Sequence, residues 1–246
     1  MSLSRSGKRI LLYFAAAFLG SGFLHIFLDY NMEFFNVFWV NHFTQTLMSI
    51  LVMFWAISIY KRITDRRQRD LLLGIAVFLL LLFFMQVSKY RLFSGLIAER
   101  RYLWYGYYVP MIAIPALLYC VALSVQRPPK DQLPLRGKVV AGIGALLAAL
   151  ILSNDLHQLT FRFTGPVWDD DNATHMPVFY VYCAYYVIVL AVSFFVLIKK
   201  ARRINKGISA FYPILPVLVY IFLSALDILG ATPRIDGVRI WNVGEE

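Results

Sequence analysis

Charge is scarce in this sequence. Asp, Glu, Lys and Arg make up 15% of its 246 residues, where a soluble domain of this length carries about 25%. That shortfall argues against an ordinary soluble globule. Cysteine is almost missing as well. Cys120 and Cys183 are the two in the chain, and both fall in apolar stretches at different depths. They read as small buried hydrophobes, not as a disulfide or metal framework. No H-E-x-x-H or other metal-ligand spacing occurs, which weighs against an intramembrane metal-dependent hydrolase. The last apolar run, 211–230, holds no Lys, so a retinal Schiff base has no anchor there. No A-x-A-like cleavage site follows the first apolar run, which therefore reads as a retained span. Internal repeats and low-complexity tracts are missing too.

Hydrophobic residues fill the space instead, at 60% of the chain, with a mean hydropathy of +0.64. Apolar runs of about 20 residues are long enough to cross a hydrocarbon core of roughly 30 Å. Seven such spans are expected, near 10–30, 37–60, 71–90, 103–125, 138–161, 177–198 and 211–230. The predicted fold class is all-α: a polytopic membrane helical bundle of about seven transmembrane helices. Residues 1–230 would form the bundle. Residues 231–246 would form a short extracytoplasmic tail, or the chain stops before a further span. The net charge of +10 would raise nucleic acid as a partner for a soluble protein. Here the basic residues concentrate in loops, so topology and anionic lipid headgroups account for them.

The basic residues also set an orientation. With the N-terminus cytoplasmic, the inner segments hold three, five, four and five Lys or Arg, and the outer segments none, four, one and two. That is the bias expected of inner loops. The outer basic stretch 89–101 would lie as a short interfacial helix. Small residues indicate where helices touch: Ala141, Ala145 and Ala149, with Gly144 and Ala148 beside them. Prolines 110, 115, 213 and 216 would kink spans four and seven.

Polar groups gather at one end of the spans, the outer one in this orientation. His25 and Asp29 close span one. Asn41, His42 and Gln45 open span two. Gln86 and Lys89 close span three. Trp104, Tyr105 and Tyr108 open span four. Asn154, Asp155 and His157 close span five. Tyr186 lies near the start of span six, and Asp227 near the end of span seven. Aromatic belts explain single Tyr and Trp residues at an interface. They do not explain acids, histidines and a lysine collected on one side, because charged groups in lipid are costly and pair or line a cavity. This set is the expected ligand-binding pocket, with Lys89 as counter-charge for Asp29, Asp155 or Asp227. No catalytic set and no cofactor are expected. A small-molecule transporter or channel is the alternative, but it would want polar groups at mid-membrane and repeated halves.

Two stretches carry a family resemblance. RYLWYGYYVPMIAIPALLYCVAL (101–123) and LSNDLHQLTFRF (152–163) resemble the seven-helix N-terminal sensor region of bacterial membrane histidine kinases. The shared features are a W-x-x-Y-x-x-x-P-like helix and a following helix that ends in an N-D-L-H-like motif. Their counterparts here are Trp104, Tyr108 (one position late), Pro110, Asn154, Asp155, Leu156 and His157. The resemblance implies a receptor in the bacterial plasma membrane that passes an outside signal to a cytoplasmic signalling domain. It implies no enzyme activity in this chain and leaves a homodimer open. One departure stands: seven spans from a cytoplasmic N-terminus leave the C-terminus outside, away from any kinase.

Overall fold

A computed structural model describes residues 39–91, 96–126, 128, 132–164, 168, 173–203, 234–235 and 238–239. The chain divides into two compact units, residues 1–55 with 204–246, and residues 56–203. In the first unit the described parts are the start of helix α1 (Trp39–Arg62) and a hairpin of β3 (Arg234–Ile235) and β4 (Val238–Arg239), paired Arg234↔Arg239. Spans one and seven of the sequence reading, with Pro213 and Pro216, lie outside the described residues.

The 56–203 unit holds α2 (Arg66–Arg91), α3 (Ile97–Ser124), α4 (Leu135–Leu152), the single turn α5 (Asn154–His157), strands β1 (Phe161–Phe163) and β2 (Ala173–His175), and α6 (Pro177–Arg203). Among the described residues, α2, α3, α4 and α6 are long and apolar enough to cross a membrane. α2 begins where Asp65 Oδ1 accepts the Arg67 N–H at 3.1 Å, an N-cap bond. Its far end runs unbroken to Arg91, and α3 starts at Ile97. Most of the stretch expected as a separate interfacial helix therefore extends the two spans.

α3 is the axis of the unit. It is buried along most of its length, with α2, α4 and α6 packed around it. Its helix is continuous through Pro110 and Pro115, both of which are buried. Each proline removes a backbone donor, and neighbouring helices hold the rod through that loss. Close approach comes where side chains are missing. A Cβ on Gly74 would meet Leu117 at 3.3 Å, and one on Gly106 would meet Met85 at 3.2 Å. The outward faces are apolar, with Phe84, Leu146, Val187 and Phe195 exposed. A soluble protein would bury them, but lipid is an equal solvent for them, so packing and interhelical hydrogen bonds hold the bundle.

At one end Lys200 stitches α6 to α3. Its Nζ donates to the carbonyls of Ala122, Leu123 and Val125 at 2.8, 2.9 and 2.7 Å. Those are carbonyls that a helix C-terminus leaves without partners. Gln126 sits in the left-handed region at φ 65° and donates back to the Lys200 carbonyl at 3.0 Å.

The other end departs from the sequence reading. The long helix was expected to run to 161, but α4 stops at Leu152. Asn154 and Asp155 stand instead on a separate turn, followed by Gln158 at φ 51°. The chain then enters β1, which pairs antiparallel with β2 in the register Phe161↔His175 and Phe163↔Ala173. A small hairpin replaces the expected loop. The side chain of Asn154 explains why the helix gives way there.

Candidate functional site

Asn154 is fully buried, and all four hydrogen-bonding positions of its amide are filled. Its Oδ1 accepts the amides of Thr160 and Phe161, each at 3.0 Å. Its Nδ2 donates to the Phe161 carbonyl at 2.9 Å and to the Tyr105 hydroxyl at 3.1 Å. A polar side chain that satisfies three groups of a turn offers the backbone an alternative to continuing the helix. The amide orientation follows from these partners.

The network then leaves the turn for α3. Tyr105 Oη accepts from Asn154 and donates to Asp155 Oδ1 at 2.8 Å. Arg101 Nη2 donates to Asp155 Oδ2 at 2.7 Å. The two charged side chains are only 13% and 17% exposed, so the pair is poorly screened. Arg101 Nη1 also donates to the Trp168 carbonyl at 3.3 Å. The guanidinium lies 5.3 Å from the Trp168 ring centroid and 5.4 Å from that of Tyr102, within cation–π range. Arg101 and Tyr105 are one helical turn apart, so both reach the same carboxylate. An aromatic cluster lies behind them. Phe161 is fully buried, with Trp104 at 4.2 Å and Tyr108 at 5.4 Å between centroids, and Tyr108 meets Tyr182 at 5.1 Å.

His157 points elsewhere. Its Nδ1 accepts the Leu159 amide at 3.0 Å, and its Nε2 lies 3.1 Å from the Leu150 carbonyl and 3.3 Å from Ser153 Oγ. It ties the turn to the end of α4. His175, on β2, lies with its ring centroid 3.9 Å from that of Phe179. Burial against its neighbours lowers the His175 pKa from its ordinary value of 6.5.

Of the expected pocket, the fold brings together Trp104, Tyr105, Tyr108, Asn154 and Asp155. Tyr186 lies at the edge of the aromatic cluster, 6.2 Å from Tyr182. Gln86 and Lys89 are buried near the end of α2. Asn41, His42 and Gln45 lie on α1, in the stretch assigned to the other unit, and their side chains are not described. His25, Asp29 and Asp227 lie outside the described residues. The cation bound to Asp155 is Arg101; of the three acids expected as partners for Lys89, the other two, Asp29 and Asp227, lie outside the described residues. Sequence reasoning had placed Arg101 in a basic loop. The i,i+4 spacing of Arg101 and Tyr105 was the available signal. Phe161, Thr160 and Trp168 were missed outright, since nothing local marks them.

Among the described residues, no group of three His, Cys, Asp or Glu side chains could hold a metal. Cys120 is buried and Cys183 half-buried, and both are free thiols. A family model described as the N-terminal 7TM region of histidine kinase matches residues 42–241. No curated protein and no solved structure gives a significant match.

Proposed function

Because the chain belongs to the family of N-terminal seven-transmembrane regions of histidine kinases, the sensor modules of membrane signalling proteins, we propose that the Arg101–Asp155–Tyr105–Asn154 network is its sensing element. The observation that carries this reading is the Arg101–Asp155 pair. It is a charged contact, poorly exposed to solvent, that joins the start of α3, the axis of the 56–203 unit, to the turn before the hairpin. A small polar or amphipathic ligand would arrive from outside the cell, offer Arg101 or Asp155 a different partner, and rest its apolar part near Trp104 and Tyr108. Releasing the pair frees the end of α3, and the continuous helix carries that freedom toward the Lys200 end. The ligand biases the two arrangements only through its difference in affinity for them. The N-terminus is cytoplasmic in this reading, and the bundle sits in the bacterial plasma membrane.

The test is a thermal-shift screen of small polar and amphipathic compounds on the purified chain. Asp155→Asn keeps hydrogen bonding but loses the charge, and should lower stability by about 1–3 kcal/mol. Compounds that stabilise the wild type should lose their effect on Asp155→Asn and on Arg101→Gln, and keep it on Gln126→Ala at the far end of α3. Equal stabilisation of all four proteins would remove the network from sensing.

A further inference from the structure

We infer that the turn between α5 and β1 is a proton-operated latch worked by His157, and that acid outside the cell is a signal this region reads. The inference rests on the outward orientation proposed above. It does not rest on a ligand at Asp155.

The ring's partners fix its state. The Leu150 carbonyl can only accept, so His157 Nε2, 3.1 Å away, carries the proton. The Leu159 amide can only donate, so Nδ1, at 3.0 Å, is bare. These two partners fit the Nε2–H tautomer of the ring, with Ser153 Oγ, 3.3 Å from Nε2, able to accept from the same N–H. A second proton would put an N–H on Nδ1, directly against the N–H of Leu159. The bond is then lost and a repulsion replaces it.

Leu159 passes that loss on. Its carbonyl accepts the Val178 amide at 3.1 Å, in the first turn of α6. The next residue repeats the tie, with the Thr160 carbonyl accepting the Met176 amide at 2.9 Å. One residue before Leu159, Gln158 is held at φ 51°. Non-glycine residues seldom adopt that region, and only while their surroundings hold them there. Protonating His157 removes one of those holds, beside the bond that seats the start of α6. Imidazole is the side chain that changes charge between about pH 5 and 8.

The neighbouring charges do not compete for the ring. Asp155 is taken by Arg101 and Tyr105. Arg162 is exposed on β1, on the opposite face from Phe161 and Phe163. His175 lies on β2 against Phe179. Among the described residues no charged side chain bonds His157. His175 is the rival switch. Its pKa is lowered in the folded protein, so the unfolded hairpin binds more protons, and hairpin stability falls as the pH drops through about 6.5. The sign matches that of the latch, so the test must separate the two imidazoles.

The experiment is amide hydrogen exchange on the full chain in lipid nanodiscs, at about pH 8 and about pH 5.5 to bracket imidazole titration, corrected for intrinsic rates. In the wild type the Leu159 and Val178 amides should lose protection about tenfold in acid, the scale of one net hydrogen bond. In His157→Asn the Asn Oδ1 can take the same Leu159 amide as an Asx-turn without titrating, and protection should not change with pH. His175→Phe should still show the acid loss. A flat wild type, or a loss that survives in His157→Asn, overturns the latch. A loss that vanishes only in His175→Phe overturns it in favour of the hairpin histidine. Should His157→Asn fail to fold, the wild-type His157 ¹⁵N shifts decide. They should show the Nε2–H tautomer at high pH and a protonation that coincides with the exchange transition, and a mismatch overturns the latch. The Asp155→Asn screen reads ligand sensing independently, so either idea can fail alone.

Discussion

Asn154 shows how much one side chain contributes to the site. Fully buried, it holds the Thr160 and Phe161 amides, the Phe161 carbonyl and the Tyr105 hydroxyl together. Asn154→Ala strands the two buried amides and the carbonyl. At about 1–3 kcal/mol for each orphaned group, the loss should be at least about 3 kcal/mol, measured by denaturation of the purified protein. An unchanged stability would mean the turn does not depend on the amide. Sequence reading singled out Asn154 and Asp155 because polar groups beside a long apolar run are conspicuous. It could not see that Asp155 would meet Arg101, because a basic residue beside an interface has an equally good explanation in lipid headgroups. It also could not see that His157 turns back to Leu150 and Leu159. A two-residue offset from Asp155 places the ring on the other side of the turn without naming its partner.

At the scale of the elements, α4 separates composition from packing. Its small residues present more than one face. The face that packs contains Gly144, where an added Cβ would meet Tyr185 Oη at 2.6 Å and Ile112 at 3.0 Å, with Ala148 partly buried on the same cluster. Ala141, Ala145 and Ala149, the regular stripe in the sequence, are exposed. Tyr185 donates to the Val140 carbonyl of α4 at 3.2 Å, so Gly144→Ala should push that hydroxyl off its partner and cost about 1–3 kcal/mol of overpacking. Among the described residues nothing lies within 4 Å of a Cβ added to Gly142. Gly142→Ala should therefore be neutral or gain about 0.5–1 kcal/mol from helix propensity. Thermal denaturation of the two variants side by side checks the assignment, and equal effects would refute it.

On the whole-molecule scale the remaining question is which end faces the cell interior. In the orientation we propose from the Lys and Arg bias, the Arg66 end of α2 lies inside and the β1–β2 hairpin outside. A cysteine at Arg66, whose side chain is 86% exposed, should resist a membrane-impermeant thiol reagent in intact cells and react after lysis. Thr174→Cys, exposed on β2, should react in both. Labelling at 66 in intact cells would invert the topology and move the proposed sensing end inside. The inner placement also gives Lys200 its setting, since its three bonds to the end of α3 would then form the cytoplasmic side of the bundle.

Composition and hydropathy alone pointed to a multi-pass helical membrane protein, because several apolar runs in a 246-residue chain are each long enough to cross a hydrocarbon core and too many to bury in one soluble core. The W-x-x-Y and N-D-L-H stretches alone pointed to the histidine kinase sensor family, which the match over residues 42–241 establishes. The tertiary structure decided which polar groups meet. Arg101 and Asp155 are 54 residues apart in the chain and 2.7 Å apart in space. It also decided where α4 ends, because beyond Leu152 the Asn154 side chain accepts the Thr160 and Phe161 amides and donates to the Phe161 carbonyl, six and seven positions ahead. Local pattern records what a residue prefers. Which neighbour satisfies a buried polar group depends on how the helices pack, and the sequence does not carry that in any one window.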